Sequence, residues 1–64
     1  MPDPVRALTA TALGQARPER IIESVQTNGI VIFELFAPGQ PVEPAAEIRF
    51  ENGKASLLSK RWPH

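Results

Sequence analysis

The chain contains no cysteine, and its single histidine, His64, is the last of 64 residues. Without cysteine no disulfide can stabilise the fold, and a lone histidine leaves no conventional protein-built zinc site. Nucleophilic catalysis needs a hydroxyl or thiol held beside a base, and terminal residues are usually too mobile to supply that base. The sequence therefore predicts a protein that is not an enzyme and that holds no cofactor or metal.

The chain also lacks net charge, because seven lysines and arginines balance seven acidic residues. Proteins that bind nucleic acid or membrane surfaces are normally basic, since they must neutralise phosphates. No apolar run approaches the ~18 residues of a membrane span. The opening MPDPVRALTATALGQ lacks the basic start and apolar stretch of a signal peptide. We expect one cytoplasmic domain over residues 1–64, without membrane contact.

Two Asn-Gly pairs divide the chain, at Asn28-Gly29 and at Asn52-Gly53. Asn-Gly is the strongest short-range signal for a β-hairpin, since both residues tolerate the positive φ angles of a type I′ turn. Several prolines and a glycine mark a loop at 37–45, and a further break lies between residues 14 and 18. The segments between these breaks are 5–13, 19–27, 30–36, 46–51 and 54–61.

The last two segments alternate apolar and polar residues in a way that predicts an antiparallel hairpin. With a two-residue turn, Glu51 faces Lys54, which is a favourable pair across the strands. One face is apolar and the other polar, as in a hairpin with one side on a core and one in water. The apolar face consists of Ile48, Phe50, Ala55 and Leu57.

The segment 30–36 is β-branched and aromatic and is apolar on both faces, so we predict a central strand. The second apolar face has two explanations. It is either buried inside the chain, or it binds another protein or a second copy of this one. Self-association would also stabilise a chain that is small and lacks disulfides. The residues of this predicted protein interface are Ile30, Ile32 and Phe36.

Segments 4–13 and 19–27 fit either a strand or a helix. Asp3-Pro4 and the alanines favour a helix in the first, whereas alternating threonines favour a strand. In 19–27, Pro18 suits a helix start, but the isoleucines and valine suit a strand. We favour strands in both.

The resulting fold class is all-β, a five-stranded antiparallel meander or partly closed barrel of SH3-like or OB-like size. The alternative is α+β, with one or two N-terminal helices on a three-stranded antiparallel sheet.

A second hypothesis, nucleic-acid binding, comes from basic residues and a tryptophan near the end of the chain. Cations beside an aromatic platform are how small barrels hold single strands. The candidate contacts are Arg49, Lys54, Lys60, Arg61 and Trp62. A third hypothesis is that Glu23 and Glu34 face each other across a hairpin and form an acid/base pair or a divalent-ion site.

The sequence favours a non-catalytic interaction module, acting as a homo-oligomer or as an accessory subunit of a larger assembly. The partner is the chain itself or a larger protein. The nucleic-acid-binding barrel is the alternative.

Overall fold

The computed structural model describes residues 1–14 and 16–61. Four strands form one antiparallel sheet in the order β1-β2-β3-β4, so every strand pairs with its neighbour in sequence. The elements in chain order are α1 (Asp3–Leu13), β1 (Arg20–Val25), a 3₁₀ turn (Thr27–Gly29), β2 (Val31–Phe36), β3 (Ala46–Glu51) and β4 (Lys54–Lys60). No helix among the described residues is both long enough and apolar enough to cross a membrane.

The segment 4–13 is helical, so the strand predicted there is wrong. Pro4 stands in the first turn of α1, where the missing N–H costs no hydrogen bond. The threonines that suggested a strand bond back along the helix, with Thr9 Oγ1 donating to the Val5 carbonyl at 2.8 Å. Packing against the sheet stabilises the helix, since Val5 and Leu13 on one of its faces are buried there.

The segment 19–27 contains a strand, as predicted, but its register with β2 differs from the predicted one. The turn uses the three residues Thr27–Gly29 rather than Asn28-Gly29 alone. This extra residue moves the pairing by one step, and a one-residue step exchanges the two faces of a strand. Glu23 therefore lies opposite Phe33, and Ile22 lies opposite Glu34.

The β3–β4 hairpin is confirmed, with Glu51 opposite Lys54 and Phe50 opposite Ala55. Asn52 and Gly53 have φ angles of 52° and 76°, as a type I′ turn requires. The pairing shifts between Glu47 and Ile48, because Glu47 lies opposite Ser59 and Ile48 lies opposite Leu57. Leu58 is the extra residue of this β-bulge.

The core lies between α1 and one face of the sheet, which we call the helix face. Its buried cluster joins two helix residues to four sheet residues: Val5, Leu13, Phe33, Leu35, Ala46 and Ile48. The α1 helix lies closest to β4. Over the described residues the protein is thus a four-stranded open sheet with one N-terminal helix. The antiparallel sheet and the N-terminal helix of the α+β alternative are as predicted, whereas the sheet has four strands rather than five or three and is not closed into a barrel.

Candidate interaction surface

The sheet face opposite α1, which we call the open face, carries a mixture of apolar and charged side chains. Alternation along each strand and the observed registers assign its residues. On β1 and β2 they are Arg20, Ile22, Ser24, Ile32, Glu34 and Phe36. On β3 and β4 they are Glu47, Arg49, Glu51, Lys54, Ser56 and Ser59.

The predicted interface residues Ile30, Ile32 and Phe36 lie at alternate positions and so share the open face, but they are not its most exposed apolar groups. Phe36 is only 5% exposed. The guanidinium carbon of Arg20 lies 4.6 Å from its ring centroid, a cation–π distance. Arg20 also donates to the Pro41 carbonyl at 3.3 Å and so joins β1 to the loop before β3. Ile30 and Ile32 are half-buried.

More exposed apolar residues lie in β1, which the sequence-based prediction of an interface missed, and others lie in β4 and in the loop before β3. Ile22 on the open face is 37% exposed, whereas Ile21 and Val25 on the helix face are 40% and 73% exposed. All but one of the residues in β1 are exposed, although the strand is rich in β-branched side chains. The signal available in the sequence was the same as for β2, namely apolar residues on both faces of a predicted strand.

The β1 strand is an edge of the sheet, and hydrogen bonds show which of its backbone groups face outward. Gln26 N–H donates to the Ile30 carbonyl at 2.7 Å, and Gln26–Ile30 continues the β1–β2 register. Since hydrogen-bonded and non-hydrogen-bonded pairs alternate in an antiparallel ladder, even-numbered residues of β1 bond to β2. The N–H and C=O groups of Ile21, Glu23 and Val25 therefore point to the open edge.

The predicted nucleic-acid contacts are divided between the faces of the sheet, and two of them pair with carboxylates. Arg49 Nη2 lies 2.7 Å from Glu51 Oε1, and Arg61 Nη1 lies 3.1 Å from Glu43 Oε2. Lys54 is on the open face, whereas Lys60 lies opposite Ala46 and so belongs to the helix face.

Trp62, the predicted stacking platform, lies outside the described residues. On the open face, three cations are accompanied by three acids: Glu34, Glu47 and Glu51. Such a balanced surface lacks the excess of positive charge that attracts a phosphate backbone.

The predicted carboxylate pair does not form, but another one does. Glu23 belongs to the helix face, whereas Glu34 belongs to the open face and lies directly opposite Glu47 on β3. Among the described residues, no group of three or more histidine, cysteine or acidic side chains is placed to hold a metal ion. Like charges directly opposite each other destabilise a sheet, so the Glu34–Glu47 pair weakens the isolated fold.

A groove of about 800 Å³ lies between α1 and the segment that follows it. Arg6, Thr9 and Arg17 contribute to its lining. Arg6 is already engaged locally, with Asp3 Oδ1 at 3.7 Å and the Met1 carbonyl at 3.4 Å. The groove thus has a basic rim that is partly used within the helix.

The chain matches no known protein-family model, and no curated protein or solved structure shows significant similarity to it.

Proposed function

We propose that this protein is a non-catalytic interaction module that binds another protein chain through β1, as a homo-oligomer or as an accessory subunit. The observation that carries the proposal is the exposure of Ile21, Ile22 and Val25 on a strand at the edge of the sheet. An apolar edge strand offers a row of unpaired backbone groups and a hydrophobic surface to a partner strand. Such strand addition is a common mode of protein recognition.

The opposite edge strand, β4, also exposes apolar residues, Leu57 and Leu58, but unlike β1 it carries features that protect an edge. Lysines stand at both of its ends, Lys54 and Lys60, and a bulge at Leu58 interrupts its pairing. The α1 helix also lies beside it. Charged residues, bulges and covering elements are how sheet proteins prevent unwanted edge pairing. In β1, Glu23 is the one charge between the exposed apolar residues Ile21 and Val25.

The test compares wild type with Ile22→Lys, which places a charge on the exposed strand, and with Ser56→Lys as a matched control. Ser56 is exposed on the same face but lies on β4. Sedimentation velocity over a range of concentrations measures self-association. Capture from a lysate of the native cells, with nuclease present, measures other protein partners.

We expect self-association or a captured partner that Ile22→Lys abolishes and Ser56→Lys retains. A chain that is monomeric at every concentration, and that captures the same proteins with and without Ile22→Lys, would contradict the proposal. Capture that disappears with nuclease would instead favour the nucleic-acid alternative.

A further inference from the structure

We infer that β1 binds β1 of a second copy, antiparallel, about a two-fold axis that passes beside Ile22. This inference rests on the proposed function and names the partner of that surface. It would join two four-stranded sheets into one eight-stranded sheet. Both copies of α1 would then lie on the same side, because a two-fold axis perpendicular to a sheet retains its faces.

The spacing of the outward backbone groups limits the possible symmetric pairings. Side chains directly opposite in an antiparallel pair lie on the same face, whereas neighbouring residues of one strand lie on opposite faces. An axis between two residues would pair each of them with the other's copy on the wrong face, so the two-fold axis must pass beside a residue. The strand has six residues. Axes beside Ile22 and beside Glu23 each pair five of them with the second copy, whereas the other positions pair three or fewer.

Charge distinguishes these two registers. An axis beside Glu23 places that carboxylate directly opposite its own copy, which is unfavourable. An axis beside Ile22 places Ile22 opposite Ile22, Arg20 opposite Ser24 and Ile21 opposite Glu23. No like charges are then directly opposite each other, and the two isoleucines form a continuous apolar contact on the open face.

The backbone groups fit the Ile22-centred register without rearrangement. Ile21 and Glu23 have outward N–H and C=O groups, and this register makes them hydrogen-bonded partners on both sides of the axis. Ile22 bonds inward to β2, so Ile22 and its copy form a non-hydrogen-bonded pair. The Cα atoms of such a pair lie ~4.5 Å apart.

That short separation makes cysteine cross-linking the deciding experiment, since the natural chain has no cysteine. A Cα separation of ~4.5 Å lies within the range of disulfides, which extends from about 4.4 to 6.8 Å. Ile22→Cys should therefore form a disulfide dimer under mild oxidation. Ser56→Cys is the control, because it places a thiol on the same face but on the other edge strand.

We expect Ile22→Cys to cross-link at least about tenfold faster than Ser56→Cys, because only its thiols are held at disulfide distance. An equimolar mixture of Arg20→Cys and Ser24→Cys should yield the mixed dimer in preference to either homodimer. Equal rates for Ile22→Cys and Ser56→Cys would overturn the inference. Preferential formation of the mixed dimer between Ile22→Cys and Ser56→Cys, whose thiols share the open face, would also overturn it, by showing head-to-tail pairing of β1 with β4.

A second variant, Glu23→Pro, tests the edge without a thiol. The Glu23 N–H points outward, so proline removes no β1–β2 hydrogen bond, and proline is tolerated on edge strands in this orientation. We expect a protein with the wild-type circular dichroism spectrum that sediments as a monomer. Ser24→Pro is the matched comparison, because it removes an inward N–H and should unfold the hairpin.

The outcomes for this inference and for the proposed function are distinct. A dimer that survives Glu23→Pro, or a monomer that captures a different protein through Ile22, overturns the two-fold pairing but retains the interaction module. A monomer with no partner that depends on Ile22 overturns both.

Discussion

Replacement of Glu34 by glutamine is expected to stabilise the protein, although the change removes a charge from a water-facing sheet. Glu34 lies directly opposite Glu47 on the open face, and both residues are half-buried. Ala45 N–H donates to the Leu35 carbonyl at 2.7 Å beside the Leu35–Ala46 pair. Even-numbered residues of β2 bond to β1, so its odd-numbered residues, Leu35 among them, bond to β3, and the adjacent Glu34–Glu47 pair belongs to the closer, non-hydrogen-bonded class.

Neighbouring side chains offer these carboxylates little compensation. Arg49, two residues along β3 from Glu47, pairs with Glu51 at 2.7 Å. On the β1 side, Glu34 lies opposite the apolar Ile22. A directly opposite pair contributes roughly 0.2–1 kcal/mol. Removal of this repulsion should raise the Tm by about 1–8 °C in a domain of this size.

The assay is thermal unfolding of wild type, Glu34→Gln, Glu47→Gln and the double variant at one fixed protein concentration. Either single change removes the repulsion, so the double variant should gain less than the sum of the two. High salt should shrink the gain, because it screens exposed charges. Glu19→Gln is the control, since Glu19 is exposed and lies outside the β2–β3 pairing. Additive changes, or a loss of stability in both single variants, would refute the assigned β2–β3 register.

Three further predictions concern the core, a turn and the helix start. Leu35→Ala should destabilise by about 2–5 kcal/mol in chemical denaturation, because Leu35 is fully buried, whereas the exposed Val42→Ala should change stability by less than ~0.5 kcal/mol. Gly53→Ala should cost about 1 kcal/mol and Gly53→Asn less, since φ is +76° while an added Cβ meets no atom within 4 Å. Equal losses for the two Gly53 variants would contradict a purely conformational cause. Pro2→Ser should stabilise α1 by roughly 0.5–1 kcal/mol, because the present N-cap makes no side-chain hydrogen bond. An unchanged Tm would show that the helix end is set by other contacts.

The elements that could be predicted are those encoded by neighbouring residues. The β3–β4 hairpin was predicted with its turn and its partners, because Asn52-Gly53 fixes the turn and the alternation around it fixes the faces. The strand at β2 was predicted from β-branched and aromatic residues. Its central position followed from apolar residues on both faces, and the sheet order confirms it.

The α1 helix illustrates a choice that local sequence left open. Alanine and threonine in alternation are compatible with a helix or a strand, and the two preferences nearly cancel. The helix allows Val5 and Leu13 to cover the core that Leu35 and Ile48 provide. The stabilisation from this burial depends on residues more than twenty positions away, so the N-terminal sequence alone does not show that the helix is preferred.

Which residues form the candidate interaction surface depended on tertiary structure even more strongly than the choice of helix for α1. One extra residue in the β1–β2 turn separated Glu23 from Glu34, and the pairing of β2 with β3 across the loop at 37–45 brought Glu34 to Glu47 instead. By itself the sequence determined a small antiparallel sheet, its C-terminal hairpin and its apolar strands. The tertiary structure decided which strand is left at an exposed edge and which charges meet, because register and strand order are set by long-range packing that local propensities do not encode.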